Sequence, residues 1–368
     1  MNAAAGKQLQ RVRDFVNDTE PAALAVVGVI AVSLLAAFVG FLAVSNLTVL
    51  PFLVFVAATG YGWIRHQEET ALILTLTMTV STLLILGLII VFIFRESVPV
   101  IQYETATVYG VEVPGLRMFI QTRWDAVSDP IRYSMAPMIH GTLLVTVIAT
   151  AVAGPLGVAA ALFLSEIAPA VVREFVKPGV EILAGIPSIV YGFIGFTILS
   201  PWASDQFQTT GQGSYLFVGI VVGLMALPTV VSVAEDAIST VPDATKDGSV
   251  AMGATNWQTT KSVTVPAAFS GVSAALLLGI GRAMGETMAA TVMIAHAQIL
   301  PDPLYDVFDN TETLTTLIAG NFGPAEGTEF YLSGLFAAGV ILFVIVTGLG
   351  IAAQLIERRM ERKLGGEV

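Results

Sequence analysis

Eight stretches of this chain are too apolar and too poor in charge to be left in water. They are Ala22–Val44, Leu47–Ile64, Ala71–Phe94, Gly141–Leu164, Ile182–Leu199, Tyr215–Val233, Ala267–Ala295 and Tyr331–Ile351. About 20 apolar residues in a helix cross the roughly 30 Å of hydrocarbon in a bilayer. A helix also satisfies its own backbone hydrogen bonds where no water is present. The chain is therefore predicted to be an all-α integral membrane protein with about eight transmembrane helices. Leu47–Ile64 and Ile182–Leu199 are interrupted by Pro51 and Pro187. Ala22–Val44 is too long for a secretory h-region and lacks a small-residue cleavage site, so it is expected to remain as a span.

Composition supports this reading. Of 368 residues, 55% are hydrophobic and 12% charged, whereas an ordinary soluble domain carries about 25% charged residues. Orientation follows from the bases, which concentrate on the cytoplasmic side. With both termini inside, that side holds Lys7, Arg11, Arg13, Arg65, Arg173, Lys177, Lys246, Lys261, Arg358, Arg359, Arg362 and Lys363. The outer segments hold Arg95, Arg117, Arg123 and Arg132 and no lysine, and Arg282 lies within a span.

The net charge of −11 comes from 28 acids against 17 bases. Such an excess keeps a protein hydrated where salt screens its self-repulsion, and points to a halophilic host. No basic stripe exists for a nucleic acid. With no cysteine and three histidines, disulfides, thiolate metal sites, cysteine nucleophiles and a histidine-rich metal centre are not expected, nor is any cofactor. A membrane enzyme is disfavoured because no Ser/His/Asp set or paired carboxylate site falls within the spans. A secondary transporter would show matching halves with paired broken helices, and no internal repeat is found.

Along the chain, residues 1–66 read as a hydrophobic hairpin with a short basic entry. Residues 67–135 give one span and a polar outer stretch containing Trp124. Residues 136–356 form a denser block of five spans, and residues 357–368 a basic cytoplasmic tail. Two long non-membrane loops, 234–266 inside and 296–330 outside, interrupt the dense block, and loops of that length are usually functional.

The inner loop reads VPDATKDGSVAMGATNWQTTKSVTVP over Val241–Pro266. Asp243 is expected to cap a short helix, Gly253 to break it, and Val265-Pro266 to precede the next span. Two short helices joined by a glycine can lie flat on the membrane face and offer Met252 and Trp257 to a groove on another protein. No GxxxxGK[ST] phosphate loop occurs in the chain, so any ATP hydrolysis must belong to a separate polypeptide.

This loop resembles the cytoplasmic coupling loop of ABC importer permeases. Gly253, Ala254, Trp257 and Pro266 match its pattern, while Asp247-Gly248-Ser249 stands where the family has Glu-Ala-Ala at a helix start. Further segments resemble the phosphate-specific permeases of the type I importers, of the PstC kind more than the sister PstA kind. They are FRESVP (Phe94–Pro99), GTLLVTVIATAVAGPLGVAAALFLSEIAP (Gly141–Pro169), EILAGIPSIVYGF (Glu181–Phe193), GRAMGETMAA (Gly281–Ala290) and the outer loop ILPDPLYDVFDNTETLTTLIAGNFG. The resemblance covers roughly residues 72–356. It implies a type I permease core, a PstA-like second permease, two ATPase subunits below, a phosphate-binding protein outside, and inorganic phosphate as cargo. Six spans are usual in that family, so the first hairpin, Ala22–Ile64, is an addition. Permeases for sulfate, molybdate or tungstate are the alternatives within the same class.

Arg282 and Glu286 are the candidate path residues. At i and i+4 on the seventh span they would share one helix face, with Arg282 at or beyond mid-membrane. A charge at that depth marks an ion path unless it serves as a buried structural salt bridge. A guanidinium fork suits a phosphate oxyanion, and Glu286 would hold it and partly neutralise it. The resemblance also implies a role for these GRAMGET positions in phosphate passage. Gly281 and Gly285 have the spacing of a close helix contact. Pro187 and Pro228 are expected to break helices along the path, and Glu181 reads as interfacial. His66, His140 and His296 read as interfacial side chains. Asp302, Asp306, Asp309 and Glu312 lack the spacing of an EF-hand calcium loop and read as a solvated outer surface.

Overall fold

A computed structural model describes residues 20–44, 46–207 and 213–364, with the backbone alone for residues 360–364. Three long helices come first: α1 (Pro21–Leu42), α2 (Val49–Arg65) and α3 (Gln67–Tyr103). By internal contacts the chain divides within α3 into a unit ending at Phe92 and a second unit from Ile93 onward. In the first unit α1 and α2 form the expected hairpin, and a side chain on Gly62 would meet Val26 and Thr70. The basic entry with Lys7, Arg11 and Arg13 lies outside the described residues.

In the second unit a small polar subdomain follows α3. Two antiparallel strands, β1 (Ala106–Val108) and β2 (Val111–Val113), form one hairpin, and Trp124–Asp125 pairs with Arg132–Tyr133 in another. With the isolated bridges Arg123–Ile299 and Ala297–Thr311, these are the β-pairings among the described residues. Glu104, fully buried, organises the segment: it accepts the Tyr133 N–H at 2.8 Å and lies 3.7 Å from the Arg117 guanidinium. The Trp124 and Tyr133 rings meet edge to face at 5.1 Å, in one apolar cluster with Met118, Met138, Leu317 and Leu335.

The rest is helical. In chain order the elements are α4 (Ala136–Leu162), closed by a π-helical turn at Phe163–Ile167, then α5 (Ala170–Gly185), α6 (Ser188–Phe207), α7 (Tyr215–Ser239), α8 (Asp243–Ala251) and α9 (Asn256–Ala267). After these come α10 (Phe269–Met284), α11 (Met288–Met293), α12 (Leu314–Ala325) and α13 (Glu329–Leu364). α7 is the central post, packed on α4 and α10. Small residues let the backbones approach, as is usual where lipid removes the hydrophobic drive between helices. A side chain on Gly223 would sit 2.8 Å from the Ala149 carbonyl oxygen, and one on Gly219 would sit 2.6 Å from Ile148.

Six helices are long and apolar enough to cross a membrane, and eight spans result if each of two bent pairs is one span. The bends correct two of the expected spans. Ile182–Leu199 is not continuous: α5 and α6 meet at 86° across Ile186-Pro187. Proline has no N–H to continue the ladder and biases its predecessor to extended backbone. The Tyr191 hydroxyl donates to the freed Leu183 carbonyl at 3.0 Å. Ala267–Ala295 is not one helix either, since α9 and α10 meet at 70° and the chain breaks again after Met284. Pro228, in contrast, breaks nothing: it is buried inside a continuous α7.

The loop 296–330 is more ordered than its polarity suggests. It contains α12, opened by a capping box between Thr313 and Thr316, and Thr311–Thr316 are all buried.

Candidate functional site

The loop 241–266 builds an exposed platform. α8 begins at Asp243, whose side chain does not cap it, and so runs straight through Asp247, Gly248 and Ser249. This corrects the expected start at Asp247. The chain turns at Gly253, which has φ +90°, a left-handed conformation that favours glycine. α9 then opens with a capping box between Thr255 and Gln258. The Thr259 hydroxyl donates to Ser249 Oγ at 3.1 Å and ties the two short helices together. Met252 is 89% exposed and Trp257 66% exposed, so two large apolar side chains stand free on one loop. Pro266 lies just before the 70° bend into α10.

The second feature is the break at the far end of α10. Arg282 lies roughly 20 Å along α10 from Phe269 at 1.5 Å per residue, in its last turn. Its side chain is exposed, and among the described residues it forms no ion pair. α10 ends at Met284, so Glu286 falls in the break and not on the same helix face. The expected Arg282–Glu286 pair is absent. The Glu286 carboxylate turns the other way and accepts the Ala289 N–H at 3.1 Å, at the start of α11. Its carbonyl accepts the Thr315 hydroxyl at 2.9 Å. A small pocket lined by Thr142, Thr313, Thr315 and Ala290 lies beside it. The physical reason is local: a short helix start offers free N–H groups that a carboxylate satisfies. Gly281 meets nothing within 4 Å, so the GxxxG spacing makes no helix contact here.

The third feature is the outer strap. Glu312 is 1% exposed, which corrects its reading as a solvated acid. It takes His296 Nδ1 at 2.6 Å and Gln298 Nε2 at 3.2 Å, while its N–H donates to the Ala297 carbonyl. The hydrogen bond to Glu312 pushes the His296 pKa above its ordinary value, against the opposing effect of burial. His296 is thus a paired group and not a plain interfacial ring. His140 Nε2 lies 2.7 Å from the Leu304 carbonyl.

Sequence reasoning missed two partly buried ion pairs at the loop end of the bundle. Lys177 meets Glu235 at 2.6 Å, and Lys246 meets Glu166 at 2.7 Å. A signal was available, since Glu166 and Glu235 each close an apolar run. Among the described residues no cluster of His, Asp and Glu could hold a metal ion.

Residues 153–362 match the family described as binding-protein-dependent transport system inner membrane component. That is more than half of the chain, and the chain belongs to this family. A probable ABC transporter permease of Bacillus subtilis, YqgH, is 38% identical over 63% of this chain and 74% of its own length. The phosphate transport system permease PstC of Xylella fastidiosa is 32% identical over 70% of this chain and 83% of its own. A probable PstC of Methanocaldococcus jannaschii is 32% identical over 74% and 88%. Among solved structures, a bacterial ABC transporter importing alginate superposes with a TM-score of 0.53 at 16% identity, over 81% of this chain and 98% of that one. A likeness at that identity concerns the fold, which is that of the ABC importer permeases. The chain is a multi-pass membrane protein of this class.

Proposed function

We propose that this chain is the PstC-type permease subunit of an ATP-driven importer that moves inorganic phosphate across the cell membrane. The observation that carries the reading is Arg282: an exposed guanidinium with no ion-pair partner among the described residues, in the last turn of an otherwise apolar helix, within a chain about 32% identical to PstC permeases. Keeping a cation at such depth is costly, and a fork of donors matches two oxygens of a phosphate. Glu286 serves the path indirectly, by holding the break that ends α10 beneath that arginine. Met252, Gly253, Ala254 and Trp257 form the surface offered to the ATPase subunits. A PstA-like permease completes the pore, and an external phosphate-binding protein delivers the cargo. Both termini lie in the cytoplasm, in keeping with the inward bias of the bases. The acid excess suits a saline setting, where counter-ions screen it.

Arg282→Gln tests the reading. Uptake of labelled phosphate by the complete transporter, normalised to assembled complex, is expected to fall to background, while Arg282→Lys keeps a fraction of it. Normal phosphate uptake by Arg282→Gln removes the arginine from the path. Competition by excess sulfate or molybdate, rather than by phosphate, would reassign the cargo.

A further inference from the structure

α8 is an odd helix. None of its residues is buried, so no apolar face glues it to the spans. What joins it to the end of α4 is one ion pair. Lys246 Nζ reaches 2.7 Å from Glu166 Oε1, with the lysine side chain 18% and the glutamate 11% exposed. Asp243 Oδ1, 92% exposed, is a second and weaker neighbour at 3.8 Å. Glu166 sits in the π-helical turn that closes α4, and it also receives the Ser165 hydroxyl at 3.3 Å. Arg173 of α5 donates to the Ser165 carbonyl at 2.9 Å and pins the same turn from the other side. Turns of this kind are strained insertions that recur at functional sites.

α8 follows α7 through residues 240–242, where Val241 is buried against Ala161 and Ile238. Two further ties leave it. Through the Ser249–Thr259 hydrogen bond and the covalent chain it leads by α9 to α10, the helix that carries Arg282. Through Lys246–Glu166 it leads to the end of α4, the helix packed along the central α7. Without the ion pair, a motion applied to the exposed Met252 and Trp257 would reach α4 only through its packing on α7 and α10. With the pair in place, α8 pulls on the end of α4 directly.

We propose that Lys246 and Glu166 are positioning residues that form a strut, making α8 and α4 move as one body, so that force received at the loop opens the path instead of merely bending α9. The proposal rests on the reading of 241–266 as the ATPase-docking loop. The strut carries force only while it is charged on both ends and desolvated, and a nine-tenths buried glutamate provides such a setting.

Charge reversal separates this role from plain stability. Lys246→Glu, Glu166→Lys and the swapped double variant are compared in the complete transporter, reconstituted in liposomes with inorganic phosphate as the transported probe. Phosphate moved per ATP hydrolysed is the readout. Each single reversal should lower that ratio at least about tenfold, the scale of a typical coupling between sites, while ATP hydrolysis persists. The swap should restore it. An unchanged ratio in the single variants, or a swap that assembles normally but stays uncoupled, overturns the strut. Trp257→Asp is run beside them and judged by ATPase assembly alone. Normal assembly there disproves the docking reading, whereas lost assembly with an unchanged ratio in Lys246→Glu disproves only the strut.

Discussion

α7 and α3 are both apolar enough to span a bilayer, yet they lead opposite lives. In the most apolar stretch of α7, 61% of the residues are buried inside the protein; in that of α3, none is. In water such a difference would show as a difference in hydrophobicity. In a membrane it does not, because a lipid tail and a leucine are equivalent neighbours. What distinguishes the two is side-chain size at particular positions. α7 presents Gly219, Gly223 and Ala226 to α4 and is buried there. α3 carries Leu83, Leu84, Ile85, Leu86 and Ile89, all exposed, and its Thr75, Thr79 and Thr82 hydroxyls are spent on their own helix. Burial in this protein is a matter of fit between backbones.

The strongest way to break the comparison is to put the same large side chain on both helices. Gly223→Leu drives atoms into the Ala149 carbonyl and Val152, which a Cβ alone would meet at 2.8 and 2.9 Å. Backbone cannot yield as a rotamer can, so the cost should exceed the 1–3 kcal/mol that is roughly typical of overpacking. The assembled transporter should be lost from membranes. Gly87→Leu on α3 meets nothing within 4 Å and should leave assembly at the level of the unmodified protein. Equal loss from both changes, read by purification yield and size-exclusion profile, would show that α3 is buried after all.

A smaller effect is expected from charge. Glu235, near the end of α7, is 5% exposed and bonded to Lys177, which is itself 41% exposed in its side chain and lies 3.7 Å from Asp236. Glu235→Gln should destabilise the protein by about 1–2 kcal/mol, between the values for surface and buried pairs, because water and Asp236 still serve the lysine. Glu68 opens α3 in the open, and Glu68→Gln should change the melting temperature by less than the error. A shift at Glu68 as large as at Glu235 would undo the distinction.

These contrasts also show why part of the structure was legible in the sequence and part was not. The spans and the exposed loop 241–266 follow from runs of apolar residues and from Gly253 and Trp257, features that act over a few neighbouring positions. The breaks were half legible. Pro187 and Pro228 look alike in sequence, but only the first has a tyrosine, Tyr191, to occupy the freed carbonyl and an exposed helix on its other side, whereas the second is clamped by neighbours on α4 and α10. The i and i+4 spacing of Arg282 and Glu286 suggested a pair because it presumed an unbroken helix. Gly285 ends α10 between them, and the carboxylate finds the N–H groups of α11 instead. Lys246 and Glu166 are 80 positions apart, and no local pattern brings them together.

The C-terminal end of α3 and the N-terminal end of α7 offer the finest test. After α3, the buried Glu104 is held by Arg117 and by the Tyr133 N–H, and an arginine keeps its charge at every accessible pH. Above α7, the strap residues Val307 and Asp309 accept the Leu216 and Tyr215 N–H groups, and that strap is moored by Glu312 to His296. His296 has a non-glycine left-handed backbone, φ 59°, a conformation held by its surroundings. Its folded pKa lies above its ordinary value, chiefly through the hydrogen bond to Glu312. The stabilisation is therefore complete below the unfolded pKa, about 6.5, and is lost as pH rises through the higher folded value. Because the ring is 40% exposed, solvent screens the pair and the gain stays below about 1 kcal/mol. The purified transporter should melt slightly higher at about pH 6 than at about pH 8, and His296→Gln should flatten that difference. Arg117→Gln should lower the melting temperature at both values alike and leave the slope intact. A slope that survives His296→Gln, or disappears with Arg117→Gln, would place the proton-sensitive mooring at the end of α3 and not above α7.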